Sequence, residues 1–126
     1  MFKITSNGIV TVNRGDSFEF PVILKLGSSM DELIYNLGQN DVLYLGIMEP
    51  NQMFEHAIIR KKFTYQDLDS DGNVNIRFWP EDTMFLRPGK YYYQIKLETE
   101  DFDHRLQRKR KDIETVVDKT LFYIQE

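Results

Sequence analysis

The chain contains no cysteine. That excludes a disulfide framework, Cys-ligated zinc, iron–sulfur clusters and thiol catalysis, and it fits synthesis in a reducing cytoplasm. An excess of positive charge is also missing. Sixteen Lys and Arg stand against twenty Asp and Glu, a formal net charge of -4, whereas a general nucleic-acid binder needs a net basic face. No apolar run approaches the roughly 20 residues of a membrane helix. The opening Met1-Phe2-Lys3-Ile4-Thr5-Ser6-Asn7 lacks the apolar stretch of a signal peptide. The chain is therefore expected to be soluble, with no membrane contact and no secretion signal. Helical apolar periodicity is absent, and no repeat or linker divides the 126 residues. One domain over residues 1–126 is expected, large enough to bury about two-thirds of its unfolded surface.

What is abundant is aromatic surface: nine Phe, seven Tyr and one Trp. Such side chains favour pleated, half-buried surfaces, and the period-two patterns agree. Phe18, Phe20, Val22 and Leu24 alternate with Glu19, Pro21, Ile23 and Lys25. Pro21 has no N–H for a ladder, so an edge position or a bulge is expected there. Val74, Ile76 and Phe78 alternate with Asn75, Arg77 and Trp79, and Tyr91, Tyr93, Ile95 and Leu97 with Tyr92, Gln94, Lys96 and Glu98. Further strands are read at 9–12, 33–37, 42–48, 54–63, 113–117 and 121–124, with a break near Asp118-Lys119. A hairpin at Asn7-Gly8 would join Phe2-Thr5 to the first of them. The run 42–48 is apolar on both faces, as in a covered central strand or one whose outer face meets a partner. Residues 99–112 read as a long polar connection.

Pro80-Glu81-Asp82-Thr83, then Leu86-Arg87-Pro88-Gly89-Lys90-Tyr91, reads as a strand end, a helical turn near 81–86, a tight turn and a Tyr-bearing strand. Immunoglobulin-like sandwiches cross between sheets in this way. The expected fold is all-β: an immunoglobulin-like β-sandwich of two antiparallel sheets with about eight to ten short strands.

Asp67, Asp69 and Asp71, with Gly72 and Val74, copy the first half of a calcium loop. Phe78 stands where the bidentate Glu belongs, so a hairpin loop rich in turn formers is the preferred reading and no cofactor is expected. Arg14-Gly15-Asp16 spells an integrin-type tripeptide, but its place between two strands reads as a turn. His56 and His104 lack a ligand-like spacing. No nucleophile elbow or phosphate-cradling glycine loop is present, and catalysis is not expected. Trp79, Tyr92 and Tyr44 would make a sugar platform if they faced outwards together.

Acidic Glu98, Glu100, Asp101 and Asp103 precede basic Arg105, Arg108, Lys109, Arg110 and Lys111. Either the halves pair across a protruding hairpin, or the loop projects and docks on a charged neighbour. A projecting loop in contact with a partner is the preferred reading.

Several segments together resemble the N-terminal domain of siphophage baseplate upper proteins. They are Ile9-Val10-Thr11-Val12-Asn13-Arg14-Gly15-Asp16-Ser17, Asp41-Val42-Leu43-Tyr44-Leu45-Gly46-Ile47, the Pro80 crossing, and Val116-Val117-Asp118-Lys119-Thr120-Leu121-Phe122-Tyr123-Ile124. The resemblance spans nearly the whole chain. It implies a non-catalytic protein of a tailed-phage virion, made in the bacterial cytoplasm. Relatives of that kind usually continue into a coiled-coil or fibre segment. This chain ends at Glu126, so a baseplate adaptor or a head accessory protein is expected rather than a fibre-bearing one. Its partners would be capsid, portal, tail or baseplate subunits, met in many copies of a symmetric assembly. Docking would use the edge near Pro21 and the bipolar loop, with apolar contact from 42–48. The rival expectation is a stand-alone ligand-binding sandwich, calcium-stabilised or carbohydrate-binding.

Overall fold

The structure, a computed structural model, describes residues 3–4, 8–22, 24–26, 33–35 and 37–126. The first five strands are β1 (Lys3–Ile4), β2 (Val10–Asn13), β3 (Phe18–Val22), β4 (Leu24–Leu26) and β5 (Leu33–Tyr35). They are followed by β6 (Val42–Met48), β7 (Ile59–Phe63), β8 (Val74–Phe78), the single-turn helix α1 (Pro80–Thr83), β9 (Gly89–Asp103) and β10 (Arg108–Gln125). Phe2 and Thr5 at the ends of the expected first strand, the Asn7 half of the first turn, and the side chains of Ile23, Leu24, Lys25 and 33–36 lie outside the described residues.

Six strands form one sheet in the order β1-β2-β10-β9-β6-β7. The pair β3–β8 forms the facing layer, and β4–β5 is a separate hairpin. The run β10-β9-β6 opposite β3–β8 matches the G-F-C over B-E arrangement of immunoglobulin sandwiches. One pairing departs from the antiparallel expectation: β2 lies parallel to β10, with Val10 beside Phe122 and Asn13 beside Gln125.

The alternation read in the sequence is what fills the space between the layers. Phe18, Phe20, Val74, Ile76 and Phe78 look inward from the pair, and Leu43, Leu45, Ile47, Tyr93, Ile95 and Phe122 from the larger sheet. Phe18 and Phe78 stack at 4.6 Å between centroids, Phe122 leans on Phe78 at 5.7 Å, and Tyr93 meets Phe122 edge-on at 6.4 Å. Aromatic pairs of this kind add about 0.5–1.5 kcal/mol each beyond area burial.

The Pro80 crossing carries the chain from β8 to β9 and is fastened to both layers. Asp82 accepts the Trp79 N–H at 2.7 Å and also pairs with Lys61 of β7 at 2.8 Å. Thr83, fully buried, accepts the Gly15 N–H at 2.9 Å, which holds the β2–β3 turn. The Tyr91 hydroxyl donates to the Arg87 carbonyl at 2.8 Å. A tyrosine near the start of this strand, bonded back to the backbone a few residues upstream, is the tyrosine corner of the immunoglobulin architecture. The helical turn occupies Pro80–Thr83 rather than 81–86, because Pro80 supplies a helix-compatible φ at its first position.

Three expectations about strand length are corrected. The polar connection at 99–112 is not a loop: β9 and β10 pair continuously from Thr99 opposite Asp112 to Asp103 opposite Arg108. The break near Asp118-Lys119 is a pair of register slips inside one long strand, between Thr115 and Val117 and between Val117 and Thr120. The expected strand at 54–63 begins only at Ile59, after a 3-10 turn at Phe54–His56. Among the described residues no helix is long and apolar enough to cross a membrane.

Candidate docking surface

β6 pairs with β9 only as far as Val42 opposite Glu98. Beyond that point the β9–β10 ladder runs on for five more pairs. At about 3.4 Å per residue it projects about 17 Å past the end of β6. Its charges are arranged face to face: Glu100 lies opposite Lys111, Asp101 opposite Arg110 and Asp103 opposite Arg108. Lys109 reaches Glu100 diagonally at 3.7 Å, and Arg110 approaches Asp112 two residues along its own strand at 3.3 Å. The bipolar segment therefore pairs across a protruding hairpin, the first of the two readings of the sequence. Opposite charges across a ladder contribute about 0.2–1 kcal/mol per pair, which lets a strand form without a buried apolar face.

The tip turns over residues 104–107. Asp103 accepts the N–H groups of Arg105 at 2.9 Å and Leu106 at 3.3 Å, and Gln107 adopts φ 53°. Phe102 packs edge-on against His104 at 5.0 Å. Arg105 is exposed, and so are the large apolar side chains of Phe102, Leu106 and Ile113. The tip thus combines charge with uncovered apolar surface. The sequence reading missed these apolar residues, although a signal was there: acids and bases stand symmetrically about the Arg105–Leu106 bond, as a hairpin register requires.

Pro21 sits opposite Asn75 in the two-stranded layer and is exposed, which agrees with an edge position. β2 runs parallel to β10, away from the hairpin tip, so β3 returns towards it. Pro21 therefore lies at the hairpin end of the sandwich.

The strand 42–48 does not provide an exposed apolar joint. Its outer face is closed by the 3-10 turn: a Cβ at Gly46 would stand 2.8 Å from the Phe54 ring and 3.2 Å from the Ala57 Cβ. The Lys96 ammonium lies over the same ring, 4.8 Å from its centroid. An open groove of about 420 Å³ remains beside it, lined by Tyr44, Phe54, Glu55, Arg60 and Lys62. The Tyr44 hydroxyl points to Glu98 at 3.5 Å; burial first, then that carboxylate, raises its pKa.

The expected sugar platform does not assemble. Tyr44 and Tyr92 alternate with the inward residues of the six-stranded sheet, whereas Trp79 alternates with Ile76 and Phe78 on the opposite layer. They face away from each other across the core. The Trp79 ring is instead covered by Arg77 at 4.3 Å.

In the 67–73 loop the Asp67 and Asp69 carboxylates accept hydrogen bonds from turn N–H groups and from the Asn75 amide. Asp67 accepts the Thr64 N–H at 2.8 Å. Asp69 accepts from Asp71 N at 2.9 Å, Asn73 N at 3.0 Å and the Asn75 amide at 3.0 Å. These bonds, the one reaching Asn73 foremost, hold the Asp69 carboxyl below its ordinary pKa. Among the described residues no three acidic, His or Cys groups gather as a metal site. At the other end, Arg14 of the integrin-type tripeptide pairs with Glu126, and Gly15 takes φ 81° in the turn. Family models, curated proteins and solved structures were all compared with the chain, and none matches it.

Proposed function

We propose that this chain is a non-catalytic structural module of a tailed-phage particle, docking on neighbouring virion subunits as a baseplate adaptor or head accessory protein. The observation that carries the docking reading is the projecting β9–β10 hairpin: a stiff, paired ribbon that presents Phe102, Arg105 and Leu106 clear of the sandwich body. Charged residues around an apolar patch set orientation and approach, and the apolar side chains supply most of the affinity. The virion assignment rests on the sequence resemblance to baseplate upper proteins and on the sandwich crossing that the two would share. Fold likeness alone carries no function.

The test is incorporation into particles. A variant with Phe102→Ala, Arg105→Glu and Leu106→Ala changes only exposed tip residues, so its melting temperature is expected to stay within a few degrees of the native chain. Its recovery in purified particles is expected to fall at least tenfold. Native-level incorporation of the folded variant would refute the hairpin's role, and failure of the native chain to enter particles would refute the virion reading.

A further inference from the structure

β2 covers β10 only from Phe122 to Gln125, and β9 occupies the other side of the strand. Among the described residues, nothing pairs with the second edge of β10 between Arg108 and Thr115. An open edge of this length is a template for another strand, and proteins usually blunt it with like charge. This edge is different, because its charge changes sign part-way: Arg108, Lys109, Arg110 and Lys111 are followed by Asp112 and Glu114.

We propose that two copies of this chain associate by antiparallel pairing of their β10 edges about a two-fold axis at Lys111. A perpendicular two-fold in an antiparallel ladder must place one residue opposite its own copy. With Lys111 there, Arg110 lies opposite Asp112 of the second copy and Arg108 opposite Glu114, and symmetry repeats both contacts. All four are opposite-charge pairs on one face. On the other face Lys109 lies opposite Ile113. Within its own chain Lys109 already stands opposite Phe102. Its methylene stem then bridges Phe102 and the second copy's Ile113, two large apolar side chains that are 43% and 65% exposed in the single chain. Lys111 meets its copy at the axis, but Glu100 stands opposite it in each chain and offsets the repulsion. A ladder of seven residues spans about 24 Å. That is small for a permanent interface, so the dimer is reversible and salt-sensitive. This inference rests on the ladder register and is independent of the virion assignment.

Two experiments test it on the full chain. With no native cysteine, any disulfide must come from an introduced one. Residues opposite each other in a ladder have Cα atoms about 4.5–5.5 Å apart, within disulfide reach. Lys111→Cys is expected to cross-link into dimers at least tenfold faster than Glu55→Cys, a control outside the ladder; equal rates would overturn the proposal. Sedimentation velocity supplies the second readout. Arg108→Glu/Arg110→Glu makes the 108/110/112/114 face of the edge wholly acidic, and Asp112→Arg/Glu114→Arg makes that face wholly basic. Each variant alone is expected to be monomeric where the native chain dimerises, and their equimolar mixture is expected to dimerise. A mixture that stays monomeric, or single variants that dimerise like the native chain, would overturn it. If either variant fails to melt cooperatively, the cysteine pair alone decides.

Discussion

Gly46→Ala adds one methyl group to the middle of β6 at the point where Phe54 crosses it. The added Cβ would lie 2.8 and 2.9 Å from two ring carbons and 3.2 Å from the Ala57 Cβ. The ring must move by several tenths of an ångström, and Lys96 stands over it. Overpacking of this kind costs about 1–3 kcal/mol. Replacing Gly within a strand returns roughly 0.5–1 kcal/mol through the unfolded chain. The expected net loss is about 0.5–2 kcal/mol, read as the urea midpoint at constant m-value. The decisive comparison is the same substitution in a Phe54→Ala background. There the ring is gone and only the tight Ala57 contact remains, so Gly46→Ala should fall within about 0.5 kcal/mol of neutral. The double-mutant cycle then gives a coupling of roughly 0.5–2 kcal/mol. Equal costs in the two backgrounds would refute the account of Gly46 as the seat of Phe54.

Tyr91→Phe removes the hydroxyl that bonds the Arg87 carbonyl and should cost about 0.5–1.5 kcal/mol, visible as a lower melting temperature with an unchanged circular dichroism spectrum. Phe122→Ala empties the fully buried centre of the aromatic cluster and should cost about 3–5 kcal/mol in urea unfolding. Asp69 has a carboxyl held below its ordinary value of 3.8, so it stabilises the fold above that pH and loses the contribution as acid protonates the folded form. The stability difference between the native chain and Asp69→Ala should therefore shrink as pH is lowered from about 5 to about 3; a constant difference would count against it.

The sandwich was legible because its strands alternate strongly. Tyr91, Tyr93, Ile95 and Leu97 all face inward as their spacing requires. The Pro80 crossing was legible because Pro, Asp and Thr each have one local job there. The hairpin was not, because its strands alternate charge with charge, and an apolar period is the only strand signal that a single segment offers. The cover over β6 was hidden for another reason. Phe54 precedes β7 and looks like part of it, and only the missing Cβ at Gly46 marks where the ring lies down. The three aromatics of the supposed platform share a chemical type but sit on opposite layers, and composition carries no information about facing. Ladder register escaped as well. It fixes which charges meet, and it depends on bulges that Asp118 holds by accepting the Lys119 N–H at 2.8 Å.

Those two bulges carry a parity rule. Each slip gives β10 one residue more than β9 across the same stretch, between Thr115 and Val117 and again between Val117 and Thr120. Two insertions leave odd and even positions on the same sides above and below the irregularity. Arg110 and Phe122 therefore share a face, although one belongs to the ribbon and the other to the core. The facing of the ribbon is set by β9, which alternates without a slip from Gly89 to Asp103. Deleting one residue from 116–119 would therefore remove one bulge and leave the charge pairs of the ribbon in place, and deleting two would leave them on a straighter strand. The spare residues at the base bend the strand without deciding which side the tip presents.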